Sequence, residues 1–87
     1  MINRLTDEQI AGQVGFLVAD YKIIMARRKT GGFSDSGNYG IAFGASESGN
    51  YATWQFHVEN GGSRFYYWGH YHMNNYAKVV GDYTNRE

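Results

Sequence analysis

Apolar and polar positions alternate with a two-residue period through residues 39–72, and two glycine-containing interruptions divide this stretch into three segments. A two-residue period places successive side chains on opposite faces of a β-strand. The interruptions, Ser48-Gly49 and Asn60-Gly61, are typical of tight hairpin turns. The pattern therefore predicts a three-stranded antiparallel meander in the middle of the chain.

Two-residue turns would fix the register of this meander, with Phe43 opposite Trp54 and Phe56 opposite Phe65. If the second turn is Gly61-Gly62 instead, each residue pairs with a partner two positions further along the chain. A two-residue shift leaves side chains on the same faces, so the same faces are expected. The predicted core face carries Tyr39, Ile41, Phe43, Ala45, Ala52, Trp54, Phe56, Val58, Phe65, Tyr67 and Tyr71. The predicted open face carries Gly40, Ala42, Gly44, Tyr51, Thr53, Gln55, His57, Glu59, Arg64, Tyr66, Trp68, His70 and His72.

The N-terminal third predicts an amphipathic helix. Thr6 followed by Gln9 three residues later forms a capping box, and apolar side chains then recur at helical spacing. These are Ile10, Val14, Leu17, Tyr21 and Ile24. Basic residues 27–29 suit the last turn, and Gly31-Gly32 suits the end of the helix. As an alternative, residues 22–25, which include the β-branched Ile23 and Ile24, form a fourth strand that follows a shorter helix.

A second helix is predicted after Asn74 or Asn75 as its cap, with Tyr76, Val79 and Tyr83 on one side. Residues 30–38 have the composition of a loop around Phe33. The predicted fold is therefore an α+β single domain, residues 1–87, in the order α-β-β-β-α. Both helices would cover the apolar face of the three-stranded antiparallel sheet and leave its other face open.

Composition narrows the classes of partner. Eight basic and eight acidic side chains cancel, so the chain has neither the positive field of a nonspecific nucleic-acid binder nor the acidic surface of a DNA mimic. It has no cysteine, which excludes thiolate metal sites. The longest apolar run, residues 16–19, is far shorter than a membrane span. We therefore expect a cytoplasmic protein that does not interact with membranes.

The open face is the predicted contact surface. Its first strand contributes mainly glycine and alanine, whereas its last contributes aromatic and basic side chains, and the chain has eight tyrosines. Tyr, Trp and Arg dominate binding hot spots. A purely structural explanation is that Tyr66 and Trp68 cover the glycines of the neighbouring strand. The predicted partner-binding residues are Tyr51, Arg64, Tyr66, Trp68 and His70, with Phe33, Arg27 and Arg28 as secondary candidates.

The histidines and acids do not predict an enzyme or a bound cofactor. The predicted register places His57 more than about 10 Å from His70, too far to share one ion. A two-histidine site formed by His70 and His72 and completed by a partner stays open, but no metal is expected. His57, Glu59 and Ser63 are neighbours of a kind that arises by chance, and the chain has no nucleophile elbow.

Single-stranded nucleic-acid binding is the second hypothesis for the open face, because aromatic sheet faces can stack bases. Residues 64–71 are superficially similar to the aromatic strand of an RNA-recognition motif. They lack its basic-glycine-aromatic opening, and the predicted element order differs. That order matches a double-stranded RNA-binding domain, but the basic helix start of such domains is absent.

Residues 51–56 (YATWQF) and 65–71 (FYYWGHY) resemble the C-terminal half of small uncharacterised proteins encoded on phages and other mobile genetic elements. In size and aromatic content the chain is also similar to anti-CRISPR proteins. That resemblance implies a non-enzymatic, protein-binding inhibitor of a host protein or ribonucleoprotein defence complex. The neutral charge favours occlusion of a protein surface over DNA mimicry. A monomer or a homodimer is expected, the latter through Phe16 and Ile23 or through an exposed edge strand.

Overall fold

The structure, a computed structural model, describes residues 4–29, 36–59 and 61–86. Among these residues, two α-helices and five β-strands form the framework. In chain order these are α1 (Asp7–Ala11), β1 (Leu17–Val18), β2 (Tyr21–Arg28), β3 (Gly40–Ser46), β4 (Tyr51–Val58), β5 (Arg64–Tyr71) and α2 (Tyr76–Asn85), with a short 3-10 helix, Ser36–Asn38, before β3. Phe33, which the sequence placed in a loop, lies outside the described residues.

The five strands form one antiparallel sheet in the order β1-β2-β3-β4-β5. The sheet curls toward a barrel, since Tyr21 of β2 lies 5.8 Å from Tyr71 of β5 between ring centroids. The segment before β1 also approaches β5, where Phe16 stacks on Tyr66 at 5.9 Å. The predicted α-β-β-β-α fold with a three-stranded sheet is therefore wrong, because the chain forms a five-stranded, nearly closed sheet.

The predicted first helix is much shorter than expected. Its capping box is confirmed, with Gln9 N donating to Thr6 Oγ1 at 3.1 Å. The helix ends at Ala11 with Gly12 as its C-cap, and Gly15 adopts a φ of 94°, which a residue with a side chain rarely tolerates. The alternative strand at residues 22–25 is confirmed and extends over all of β2. Two glycines and a β-branched segment therefore override the helical spacing of the apolar residues.

Both hairpin loops contain three residues instead of the predicted two. Ser46 N donates to Asn50 O at 2.9 Å, and Gly49 has a φ of 86°. Glu59 N donates to Ser63 O at 2.9 Å in the next hairpin. Three-residue loops with glycine in the left-handed region are the next most common hairpins after two-residue ones. One extra residue shifts the register by one position.

This shift exchanges the faces that the sequence predicted. Ala42 pairs with Trp54, and Phe43 pairs with Thr53. A one-residue slip moves every side chain of one strand to the other side relative to its neighbour. The predicted core face and open face are therefore wrong, and residues 52–58 of β4 are all buried because both faces of that strand are covered.

The two helices lie on opposite faces of the sheet, not on one. On the concave face, Leu5, Phe16 and Tyr66 pack with a buried cluster that includes Ile23, Ala42, Ala52, Trp54, Phe56 and Val58. On the convex face, Phe43 contacts the rings of Tyr76 and Tyr83 from α2 at 6.1 and 5.7 Å. The predicted start of α2 is confirmed, because the side chain of Asn75 accepts from Lys78 N.

Gly40 lies directly opposite Phe56, and a methyl group there would come within 2.5 Å of the Phe56 ring and 2.9 Å of the Arg27 carbonyl oxygen. We expect Gly40→Ala to lower the free energy of unfolding by about 1–3 kcal/mol through overpacking. Gly81→Ala is the matched control, since Gly81 lies in α2 with nothing within 4 Å of the added methyl group. It should raise the free energy of unfolding by about 0.5–1 kcal/mol. Urea denaturation measures both changes, and equal effects would contradict the close approach.

Candidate functional site

A β-bulge in β5 presents Trp68 to solvent. Thr53 pairs with His70 whereas Gln55 pairs with Tyr67, so Trp68 and Gly69 together lie opposite one residue, Trp54. Trp68 has a φ of 53°, a conformation that is costly for a bulky residue. It is also 67% exposed. The backbone is thus strained at the position where the Trp68 side chain projects into water.

Arg86, just beyond α2, holds this bulge in place. Its Nη2 donates to the carbonyl oxygen of Trp68, and its Nη1 donates to Thr53 Oγ1 at 3.0 Å. The ring of Tyr67 meets the indole of Trp68 edge-on at 5.1 Å. The contacts from Arg86 and Tyr67 fix the position of Trp68, although most of its side chain is exposed to solvent.

Other large apolar side chains are exposed along β5 and the connection to α2. β5 has a hydrogen-bonded strand neighbour only on its β4 side among the described residues. Met73 has a φ of 52°, a second strained position in this region. We call the exposed apolar residues of this region the β5 edge surface: Phe65 (42% exposed), Trp68 (67%), Tyr71 (59%), Met73 (68%) and Tyr76 (54%).

Two of the predicted contact residues are instead packed against other parts of the protein. Tyr66 stacks on Phe56 at 5.2 Å, and its hydroxyl donates to Gln13 Oε1 at 2.5 Å. Burial raises the pKa of Tyr66, and the charge of Arg64 only partly opposes this effect. Tyr51 is half-buried, with its ring 5.3 Å from that of Tyr76. Tyr66 therefore belongs to the core of the curled sheet.

The predicted basic residues contact the protein itself. The Arg64 guanidinium lies 4.2 Å from the ring centre of Phe16 while the residue remains exposed. Arg27 binds carbonyl oxygens at the end of α2, with Nη2 2.6 Å from Tyr83 O. Arg28 binds Gly37 O at 2.8 Å and also Asp7. Of the predicted residues that the structure describes, Trp68 belongs to the β5 edge surface, and Arg64 and His70 are exposed beside it on β5.

His70 and His72, at the end of β5, converge on Asp82 of α2. The Asp82 carboxylate accepts hydrogen bonds from His70 Nδ1, with Oδ2 3.1 Å away, and from His72 Nε2 at 2.9 Å. One ligand atom from each of the three lies within 4.8 Å of the others. We call these residues the His-Asp cluster. Its side chains range from 50% exposed for His70 to 13% for His72.

The environment of Asp82 favours its ionised form. Burial raises the pKa of this carboxyl, but hydrogen bonds from His72, Thr53 and His70 outweigh burial and hold the pKa below its ordinary value. Thr53 Oγ1 donates at 2.7 Å and so fixes the orientation of the carboxylate. His57 lies outside the cluster, since its ring nitrogens are 3.0 Å from Tyr67 Oη and Glu59 Oε2.

Sequence reasoning identified His70 and His72 as neighbours but missed Asp82. The alternating pattern of a strand predicts that residues two apart share a face. No local pattern links Asp82 to them, because the contact depends on α2 packing on the convex face. The bulge at Trp68 was also missed, although Gly69 inside an aromatic strand is a typical signal of one.

Comparisons with protein-family models, with curated proteins and with solved structures give no match. The phage and anti-CRISPR resemblance therefore stays a prediction from the sequence. Among the described residues, neither helix has the length and apolar character that crossing a membrane requires.

Proposed function

We propose that this protein is a protein-binding module that contacts its partner through the β5 edge surface, with Trp68 as the anchoring residue. The observation that carries this proposal is the strained bulge that holds an exposed tryptophan in a fixed position. Strained backbone positions cluster at functional sites, where the surrounding structure maintains them. A pre-positioned aromatic side chain also loses little conformational entropy when it is buried by a partner.

The partner that best fits this surface is a protein segment in an extended conformation. Phe16 and Tyr21 approach β5 through their side chains, but among the described residues no strand is hydrogen-bonded to its outer side. Sheet edges of this kind accept added strands through main-chain hydrogen bonds. Exposed side chains on both faces of the strand would then provide specificity. A second copy of the chain is one such partner, and light scattering on the purified protein distinguishes a homodimer from a monomer.

An inhibitor of a host defence complex, such as an anti-CRISPR protein, is one form of this function. It rests on the sequence resemblance, whereas a cytoplasmic location rests on the composition of the chain. Single-stranded nucleic acid is the competing ligand for exposed aromatic residues. Nucleic-acid binding would weaken steeply with salt through counterion release, whereas contact through the apolar β5 edge surface should change little.

Trp68→Ala tests the proposal. We expect it to weaken partner binding by at least about 30-fold, because truncating an aromatic hot spot typically costs 2 kcal/mol or more. The wild-type protein is used as bait in the cytoplasm of its host, and the affinity of each captured protein is then measured. Leu17→Ala is the matched control, since Leu17 is similarly exposed but lies in β1 at the other edge of the sheet.

Trp68→Gly separates binding from folding. Glycine accepts a φ of 53° without strain, but it also has more conformational freedom in the unfolded chain. Because these two effects oppose each other, the free energy of unfolding of this variant should lie within about 1 kcal/mol of the wild-type value. The variant should nevertheless lose partner binding. Retained affinity in both folded Trp68 variants would show that the surface has been placed wrongly.

A further inference from the structure

The His-Asp cluster provides two imidazole nitrogens and one carboxylate oxygen at a single point between β5 and α2. We propose that His70, His72 and Asp82 bind a divalent transition-metal ion of the Zn²⁺ type. This proposal is independent of the protein-binding function proposed above, because it rests on a different set of side chains.

The spacing of the ligand atoms fits a tetrahedral ion. Zinc bonds of about 2.0–2.1 Å to nitrogen and oxygen place tetrahedral ligand atoms about 3.3–3.4 Å apart. The distances from Asp82 Oδ2 to His70 Nδ1 and His72 Nε2 are 3.1 and 2.9 Å. An ion would need an outward shift of a few tenths of an ångström along each of these pairs. The nitrogens of His70 and His72, which lie within 4.8 Å of each other, would need to come to about 3.3–3.4 Å.

Metal binding would replace two hydrogen bonds. The nitrogens of His70 and His72 that now donate to the carboxylate would bind the ion instead, and each ring would carry its proton on the other nitrogen. Thr53, which donates to Asp82 at 2.7 Å, would act as the outer hydrogen-bond donor that orients a carboxylate ligand.

The donor set selects among metals. Imidazole nitrogen with carboxylate oxygen suits Zn²⁺, Ni²⁺ and Cu²⁺, whereas Mg²⁺ and Ca²⁺ prefer oxygen ligands alone. Three protein ligands leave a fourth position for water or an external group. The nearby positive charge of Arg86, which interacts electrostatically with Asp82, should weaken the affinity for any cation. We therefore expect a dissociation constant in the micromolar range, not the far tighter binding of closed structural zinc sites.

The competing explanation is that the cluster is only a hydrogen-bonded connection between β5 and α2. In that case Asp82→Asn would change stability, but added metal would have no saturable effect on any variant. The two explanations are distinguished by titrating ZnCl₂ into the full chain, prepared without a histidine tag and stripped with chelator. Isothermal titration calorimetry near pH 7.5 in a non-coordinating buffer gives the stoichiometry and affinity.

The expected result is one Zn²⁺ per chain, with Mg²⁺ giving no comparable signal and with Zn²⁺ raising the Tm of the wild type. Substituting an outer-shell residue typically weakens metal binding about 10–100-fold. Asp82→Asn and His72→Gln each change a proposed ligand, so each should weaken binding by more than that. His70→Gln is the third variant. Because His70 is half-exposed, this variant should fold even if the substitutions at the more buried Asp82 and His72 prevent folding. His57→Gln is the matched control histidine and should bind like the wild type. Absence of saturable binding to the wild type, or equal binding by folded His70→Gln, would overturn the proposal.

Discussion

Phe56→Ala is expected to lower the free energy of unfolding by about 3–5 kcal/mol, the range typical of a buried phenylalanine truncated to alanine. Phe56 is fully buried, stacks on Tyr66 at 5.2 Å and covers Gly40 on the neighbouring strand. Chemical denaturation monitored by tryptophan fluorescence and circular dichroism measures the loss.

Phe65→Ala is the paired variant that tests the register. Under the predicted two-residue turns, Phe56 and Phe65 would lie opposite each other in one core. In the structure Phe65 pairs with His57 on the convex face and is 42% exposed, so its truncation should cost about 1 kcal/mol, mainly the stacking on His57 at 5.0 Å. Similar losses for the two variants would favour the two-residue turns.

Arg27→Met is expected to lower the free energy of unfolding by about 2–4 kcal/mol, because hydrogen bonds from a charged donor contribute more than neutral ones. Arg27 donates to Tyr83 O and Arg86 O, each 2.6 Å from Nη2. Its guanidinium also lies 5.3 Å from the centre of the Tyr83 ring. Methionine keeps the length of the side chain but leaves these carbonyl oxygens at the end of α2 without their donor. Hydrogen exchange should show faster exchange in α2 than in β4.

Arg28→Met is the control for Arg27. Arg28 carries the same charge at the next position, but its carboxylate partner, Asp7, is almost fully exposed, and exposed ion pairs contribute about 0–1 kcal/mol. Its bond to Gly37 O adds one further contact. We expect a loss of about 1 kcal/mol, with unchanged exchange in α2. An equal effect on α2 from both substitutions would argue against a specific anchoring role for Arg27.

The identity of most elements could be predicted from the sequence, because it depends on local patterns. The capping box at Thr6 and the cap at Asn75 each predicted the start of a helix, and the alternating segments predicted β3, β4 and β5. The long first helix was wrong because its apolar spacing extends past Gly12 into β2. In β2 the side chains of Tyr21 and Ile23 pack inside a curled sheet, and that tertiary contact outweighs the helical period.

The candidate site could be predicted only in part. Trp68 and His70 were predicted to face solvent, and both are exposed, whereas Tyr66 was assigned to the wrong face because each hairpin loop holds one residue more than expected. Arg27 and Arg28 suggested a basic contact surface but bind carbonyl oxygens within the protein. Asp82 and Arg86 gave no signal, because their roles arise from contacts between α2 and a strand distant in sequence.

The sequence by itself determined that residues 39–72 form three aromatic antiparallel strands, since a two-residue period and glycine-containing turns leave few other conformations. Only the tertiary structure decided which side of those strands is buried. One extra residue in each loop exchanges the faces, and the two helices lie on opposite faces of the sheet. The tertiary structure also decided that Trp68 projects from a strained bulge and that His70 and His72 meet Asp82. These features depend on how α2 packs on the sheet, which no local pattern specifies.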